Sequence, residues 1–277
     1  MKRAVTLVAA VATLPLLTVS ATACVRDDDL AHTVSAPVGE VDSAILEIVR
    51  GADRVTIRAE ELDDELYVIS TSKGSRVRPE VTGDDGRVRV DLIDAGADDD
   101  GSDDDSVDDA PGEDGRWADD GRWADGDLRS GEPHDDLRSG RPDGPADVEI
   151  RLNGRVRWSI RLAGGAEAAE VDMAGGRLAE VELTAGVSRF TLSLPRPDGT
   201  VRVRVRGGAS DVDLTAPTGV PARVRIGAGA GSITVDGITR SVVAAGTVLT
   251  TDGWDGTADR YDIDATSGVG RLTLVRR

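Results

Sequence analysis

Cysteine, histidine, lysine and aromatic side chains are all scarce in this 277-residue chain, and each scarcity removes a class of chemistry. The one cysteine is Cys24, so no internal disulfide can form. The two histidines are His32 and His134. Zinc needs His or Cys in number, and a Ser-His-Asp triad needs a histidine set in a pocket, so both are poorly served. Lysine occurs only at Lys2 and Lys73, and the formal net charge is −18. Nucleic-acid binding relies on clustered Lys and Arg at phosphates, so that class is excluded too. Aromatic residues make up 3% of the chain, with one Phe and two Tyr. A core without aromatics to fill irregular volume must be built from Val, Leu, Ile and Ala. Together with 33 glycines, that inventory suits regularly spaced, stacked strands better than a two-layer α/β core.

What is present begins with an export signal. Lys2 and Arg3 form a basic start, Ala4 to Val19 an apolar run, and Ala21-Thr22-Ala23 a small-residue close. The run is shorter than the roughly 20 residues a spanning helix needs. Residues 1–23 are therefore read as a signal peptide. Cys24 directly after the cleavage site resembles a bacterial lipobox, although Ala21 stands where Leu is commonest. Its diacylation would supply the two chains that stable membrane anchoring requires. The alternative is an incidental free thiol beyond an ordinary cleavage site.

Beyond the signal, the chain divides by composition. Residues 24–40 are polar and aperiodic and are read as a tether. Residues 41–93 contain short β-branched runs, such as Ile45–Val49 and Val88–Leu92, separated by Gly or Asp. Residues 94–147 hold twenty Asp or Glu against five Arg, so most of the net charge belongs to this one segment. Such a stretch cannot bury enough apolar surface to offset its ordering entropy, and it is expected to be a disordered acidic insertion. Its Asp runs do not follow the spacing of a calcium-binding loop.

Residues 148–277 carry an internal repeat. Gly186-Val187-Ser188-Arg189-Phe190-Thr191-Leu192 returns 22 residues later as Gly208-Ala209-Ser210-Asp211-Val212-Asp213-Leu214. Further copies start at Gly229 and Gly268, and an irregular one at Gly164. Pro195 to Gly199 and Pro217 to Gly219 supply matching turns before Val201–Val205 and Ala222–Ile226. Alternation within each run exposes one face and buries the other, and copies stacked about 4.8 Å apart bury a continuous aliphatic column. The expected fold is all-β: a β-solenoid of about 22-residue two-strand repeats, interrupted by the acidic insertion. Glycine pairs at the corners are expected to turn through positive φ.

On Trp158–Leu162 with Gly164-Gly165-Ala166, on Phe190–Pro195 with Gly199, and on Gly207–Ser210 with Asp259–Ile263, the region resembles the bacterial putative-adhesin β-solenoid domains. It is also similar to the C-terminal domain of cell-wall stress regulators. The resemblance implies an exported envelope protein and transfers no catalytic residue.

No catalytic, cofactor or metal residue set emerges. Ser70-Thr71-Ser72-Lys73 matches Ser-x-x-Lys without its companion motifs and reads as a polar turn. Gly227 to Gly231 lacks the Lys and helix of a phosphate loop and reads as a repeat corner. Trp117 and Trp123 sit in duplicated Arg-Trp-Ala-Asp copies on the acidic arm. They are either partner contacts or a neutral duplication. Trp254 is expected to cover a solenoid end or edge. The sequence thus points to a non-enzymatic exported protein, adhesin-like and anchored through Cys24 on the outer face of the cytoplasmic membrane, or secreted. Its partner is an envelope component or a membrane protein, and the alternative role is a stress regulator binding a membrane sensor.

Overall fold

Alternating sequences such as Thr-Val-Arg-Val-Arg-Val at 200–205 place one face on a core and the other in water, and in the structure every such run is a strand. The structure, a computed structural model, describes residues 32–84, 86–95 and 144–277. The signal peptide, Cys24, Trp117, Trp123 and His134 lie outside the described residues. The first six strands are β1 Thr33–Pro37, β2 Ser43–Ile48, β3 Ala52–Glu60, β4 Glu65–Thr71, β5 Val77–Thr82 and β6 Arg87–Asp94. Then come β7 Asp147–Asn153, β8 Arg157–Leu162, β9 Ala166–Asp172, β10 Arg177–Leu183, β11 Val187–Ser193 and β12 Thr200–Val205. The last seven are β13 Ala209–Ala216, β14 Ala222–Ile226, β15 Ala230–Val235, β16 Ile238–Val243, β17 Thr247–Thr250, β18 Arg260–Ala265 and β19 Val269–Arg276.

These strands form two mixed sheets with one core between them. Sheet A runs β1-β4-β7-β3-β9-β11-β13-β19-β15-β16, and sheet B runs β17-β14-β18-β12-β10-β8-β2-β6-β5. From β8 to β15 the chain alternates between the sheets, so β8/β9, β10/β11 and β12/β13 are successive two-strand rungs. Strands on neighbouring rungs pair in parallel, with Ala168 opposite Arg189 and Arg189 opposite Asp211. That offset is the period seen in the sequence. Antiparallel strands close both ends: β1, β4 and β5 at one, β16 and β17 at the other.

The core is a set of aliphatic columns. On sheet B, Ile160, Val181, Val203, Ile263 and Val224 follow one another across the strands, all fully or almost fully buried. Two of the few aromatic residues are placed where their polar atoms find partners. Trp158 donates from Nε1 to the Asn153 carbonyl at 3.0 Å, and Tyr261 donates from its hydroxyl to the Pro195 carbonyl at 2.6 Å.

Two rungs are out of sequence order. The rung β18/β19 lies between β12/β13 and β14/β15, and β2/β3 lies between β6/β7 and β8/β9. Charge on the outer face of sheet B favours both placements. One row across its strands reads Arg89, Glu47, Arg161, Glu182, Arg204, Asp264, Arg225. Stacking in chain order would set Arg204 directly against Arg225, and Arg89 against Arg161, and like charges directly opposite are destabilising. Each interposed rung brings the carboxylate that separates them. Glu182, 4% exposed, is held at 2.7 Å by both Arg161 and Arg206, and Arg225 reaches Asp264 at 3.4 Å.

Most of the corner glycines differ from the expectation, which Gly229 alone of them meets. Gly164, Gly186, Gly207, Gly208 and Gly268 are not in the positive-φ region; that conformation falls at Gly199 (φ 83), Gly219 (φ 78) and Gly229 (φ 104). Gly164 and Gly207 are needed for closeness instead: a Cβ on Gly207 would lie 1.9 Å from the Ala185 carbonyl oxygen of the rung below, whereas Gly186, Gly208 and Gly268 have room for one. Residues 33–37, read as tether, form β1, because the edge of β4 offers them backbone partners that no local pattern announces.

Candidate binding surface

The two ends of the stack are finished differently. At the first, β1 carries Pro37 with a register shift beside it, and β5 carries Pro79. Proline cannot donate to a further strand, so these edges are blunted. Beneath them Leu66, Tyr67, Ile69 and Val77 are buried.

At the far end, β16 and β17 contain no proline, and each has one edge without a neighbouring strand. Ile238 is 69% exposed, Val242 89% and Val248 53%. Between the two strands opens a cleft of about 680 Å³ with apolar walls of Val220, Pro221, Val235, Ile238, Val248 and Leu249. Asp236, Arg240, Asp252 and Arg276 mark its polar rim. Arg276 is already engaged, donating from Nε to Asp236 and from Nη1 to the Val220 carbonyl, both at 2.8 Å. Val242 has φ 52, a conformation a β-branched residue adopts only under strain. Its flanking residues Ser241 and Val243 pair with Ser232 and Ala230, so the distortion sits within the exposed edge strand.

One wall of this end is braced by Trp254, in a 3-10 turn (Trp254–Gly256) between β17 and β18. The ring is 5% exposed and lies between two guanidiniums, Arg223 and Arg260, each 4.5 Å from its centroid. Arg223 also forms a two-pronged pair with Asp262, which pushes its pKa up, and Arg260 donates to the Trp254 carbonyl at 2.9 Å. Trp254 is held over β14 and β18, which are not edge strands, through a cation–π clamp that its Gly- and Asp-rich surroundings did not announce.

The other singled-out residues are dispersed. His32 precedes β1 and offers its carbonyl to the Thr71 amide at 3.1 Å. Ser70 and Thr71 are the last residues of β4, with Ser72 and Lys73 in the connection after it. Gly227 to Gly229 form the corner before β15. Asp53 accepts from the Ala146 amide at 2.9 Å and from Arg76, which together hold its carboxyl below the usual range. Burial pushes the Tyr261 hydroxyl up to about 12.

No family model matches the chain, and no curated protein matches it. Among solved structures, it is similar to a putative cell adhesion protein from Clostridium sporogenes ATCC 15579. The identity is 12% and the TM-score 0.54, over 90% of this chain and 100% of that one. The likeness is one of fold.

Proposed function

We propose that the protein is a non-enzymatic, adhesin-like module of the cell envelope that binds its partner at the β16/β17 end. The observation that carries this reading is the difference between the two ends: one blunted by proline, the other open, apolar and strained. Exposed apolar surface rimmed by polar groups marks interaction sites. Its placement suits display. Sheet A has β1 at one edge and β16 at the other, ten strands that make a stack roughly 43 Å long at about 4.8 Å per strand. An anchor at Cys24, eight residues before His32, would attach the blunted end and turn the open end outward. The structural neighbour named for cell adhesion agrees with this reading.

A second reading rests on the same edge. The free edge of β16 can accept an added strand, the mode by which a regulator would engage a membrane sensor.

Two experiments test the proposal. The intact mass of protein from the host membrane fraction should start at Cys24 with a diacylglyceryl addition; an unmodified protein in the medium removes the anchor. Cells displaying the double variant Ile238→Lys, Val248→Lys should lose adherence with folding unchanged. Unaltered adherence together with a lost envelope-stress response would favour the regulator.

A further inference from the structure

One row on the outer face of sheet A breaks the alternation of sign. In register across the strands it reads Asp147, Arg54, Ala168, Arg189, Asp211, Arg271. Alternation would put a carboxylate at position 168, and a methyl group stands there. Arg54 and Arg189 therefore flank Ala168 from the strands on either side, roughly 9.6 Å apart at the backbone. Arg271 pairs with Asp211 at 3.4 Å, whereas neither Arg54 nor Arg189 makes an ion pair or hydrogen bond through its side chain among the described residues.

The surface at this point is concave, a groove of about 370 Å³ that includes Arg54, Ala168, Arg189, Ser188 and Ser210. Four carboxylates also border it. Asp53 is held by Arg76 and the Ala146 amide, and Asp211 by Arg271. Asp147 and Glu167 remain on its flanks.

We infer that Arg54 and Arg189 form a seat for the carboxylate of an acidic sugar, which takes the place over Ala168 where the row lacks a charge. Two guanidiniums on the strands flanking β9 line one groove, each offering a planar fork of donors to an oxyanion. Ser188 and Ser210 present hydroxyls to the remainder of the ligand. Asp147 and Glu167 accept from sugar hydroxyls and repel a densely charged polyanion, so the groove selects one acid group on a hydroxylated body. The seat lies on β3, β9 and β11, away from the β16/β17 cleft, and is independent of what binds there.

The test is a titration of the full chain with glucuronate, followed by amide chemical shifts, with glucose as the neutral control. Glucuronate should shift the amides of residues 54, 168, 188, 189 and 210 in a saturable way, and glucose should not. Arg54→Gln and Arg189→Gln should each weaken binding at least tenfold. Ala168→Glu should abolish it while raising Tm, since it supplies the missing charge from within. No saturable shift, equal shifts with glucose, or unaltered binding in both arginine variants would overturn the proposal. Binding that appears only in a variant lacking residues 98–141 would overturn it as well, assigning the seat to the chain's own aspartates.

Discussion

Arg223 and Asp262 are 39 positions apart in sequence and meet as a two-pronged pair, Nε and Nη2 donating to the two carboxylate oxygens at 3.2 and 3.0 Å. The pair joins β14 to β18 and so fixes the rung that is out of chain order. Arg202 lies opposite Asp262 on the other side, in β12. Asp262 with Asp264 is thus the spacer between two arginine-bearing strands.

Reversing that spacer should undo the arrangement. The variant Asp262→Arg, Asp264→Arg sets like charges in three adjacent strands and is expected to lose about 2 kcal/mol or more. The urea midpoint should fall, and added salt should restore part of it. An unchanged midpoint would show that charge does not set rung order.

Glycine substitutions separate closeness from conformation. Gly207→Ala forces the backbones of two rungs apart and should cost about 3 kcal/mol. Gly219→Ala, with φ 78 and nothing within 4 Å of the new methyl, should cost about 1–2 kcal/mol. Gly256→Ala has open space and should leave the denaturation midpoint where it is. If Gly207→Ala proved the mildest of the three, the corner contacts would not be as tight as described.

Removing the clamped ring is the third prediction. Trp254→Ala takes away a buried ring and two cation–π contacts, for an expected loss of about 3 kcal/mol. Trp254→Phe keeps part of both and should lose about half as much by thermal unfolding. Equal stability of all three proteins would mean that the clamp contributes nothing.

The fourth concerns alkaline pH. Tyr261 is fully buried, and its pKa rises from 10 to about 12. Its neutral form is the one the fold favours, so the associated stability is fully present below pH 10 and is lost as pH rises towards 12. Linkage puts the loss at about 3 kcal/mol across that window. Tyr261→Phe should remove this part of the alkaline fall while costing about 1 kcal/mol at neutral pH, because the Pro195 carbonyl loses its donor. Burial also raises the Tyr67 pKa, so a smaller alkaline fall should persist in that variant.

Strands of the Val-Arg-Val-Arg kind were legible because alternation is a local signal, and the 22-residue period exposed the stacking of β9, β11 and β13. The rung order was not read, although charges that favour it are written in the chain. Arg202, Arg204, Arg223 and Arg225 repel one another in any in-order stack, and Asp262 and Asp264 form an acidic pair of matching spacing in an alternating run. Recognising this requires asking which strands can be neighbours, a question that period alone does not raise. β1 and β16 were missed because most of their side chains are exposed, so tertiary pairing makes them strands. The Arg223–Trp254–Arg260 clamp and the apolar cleft join residues from separate turns and strands, with no motif in common.

The interposed rung also changes what shortening the chain would do. In a stack laid down in order, trimming the C-terminal side peels away the outermost layer and leaves the remainder intact. Here, cutting before residue 257 withdraws β18 and β19 from the interior and leaves β14/β15 with its cap on the far side of a vacant slot. Repeats of this protein therefore cannot be counted off one at a time, and the segment past Trp254 acts as the keystone that joins the open end to the rest of the stack.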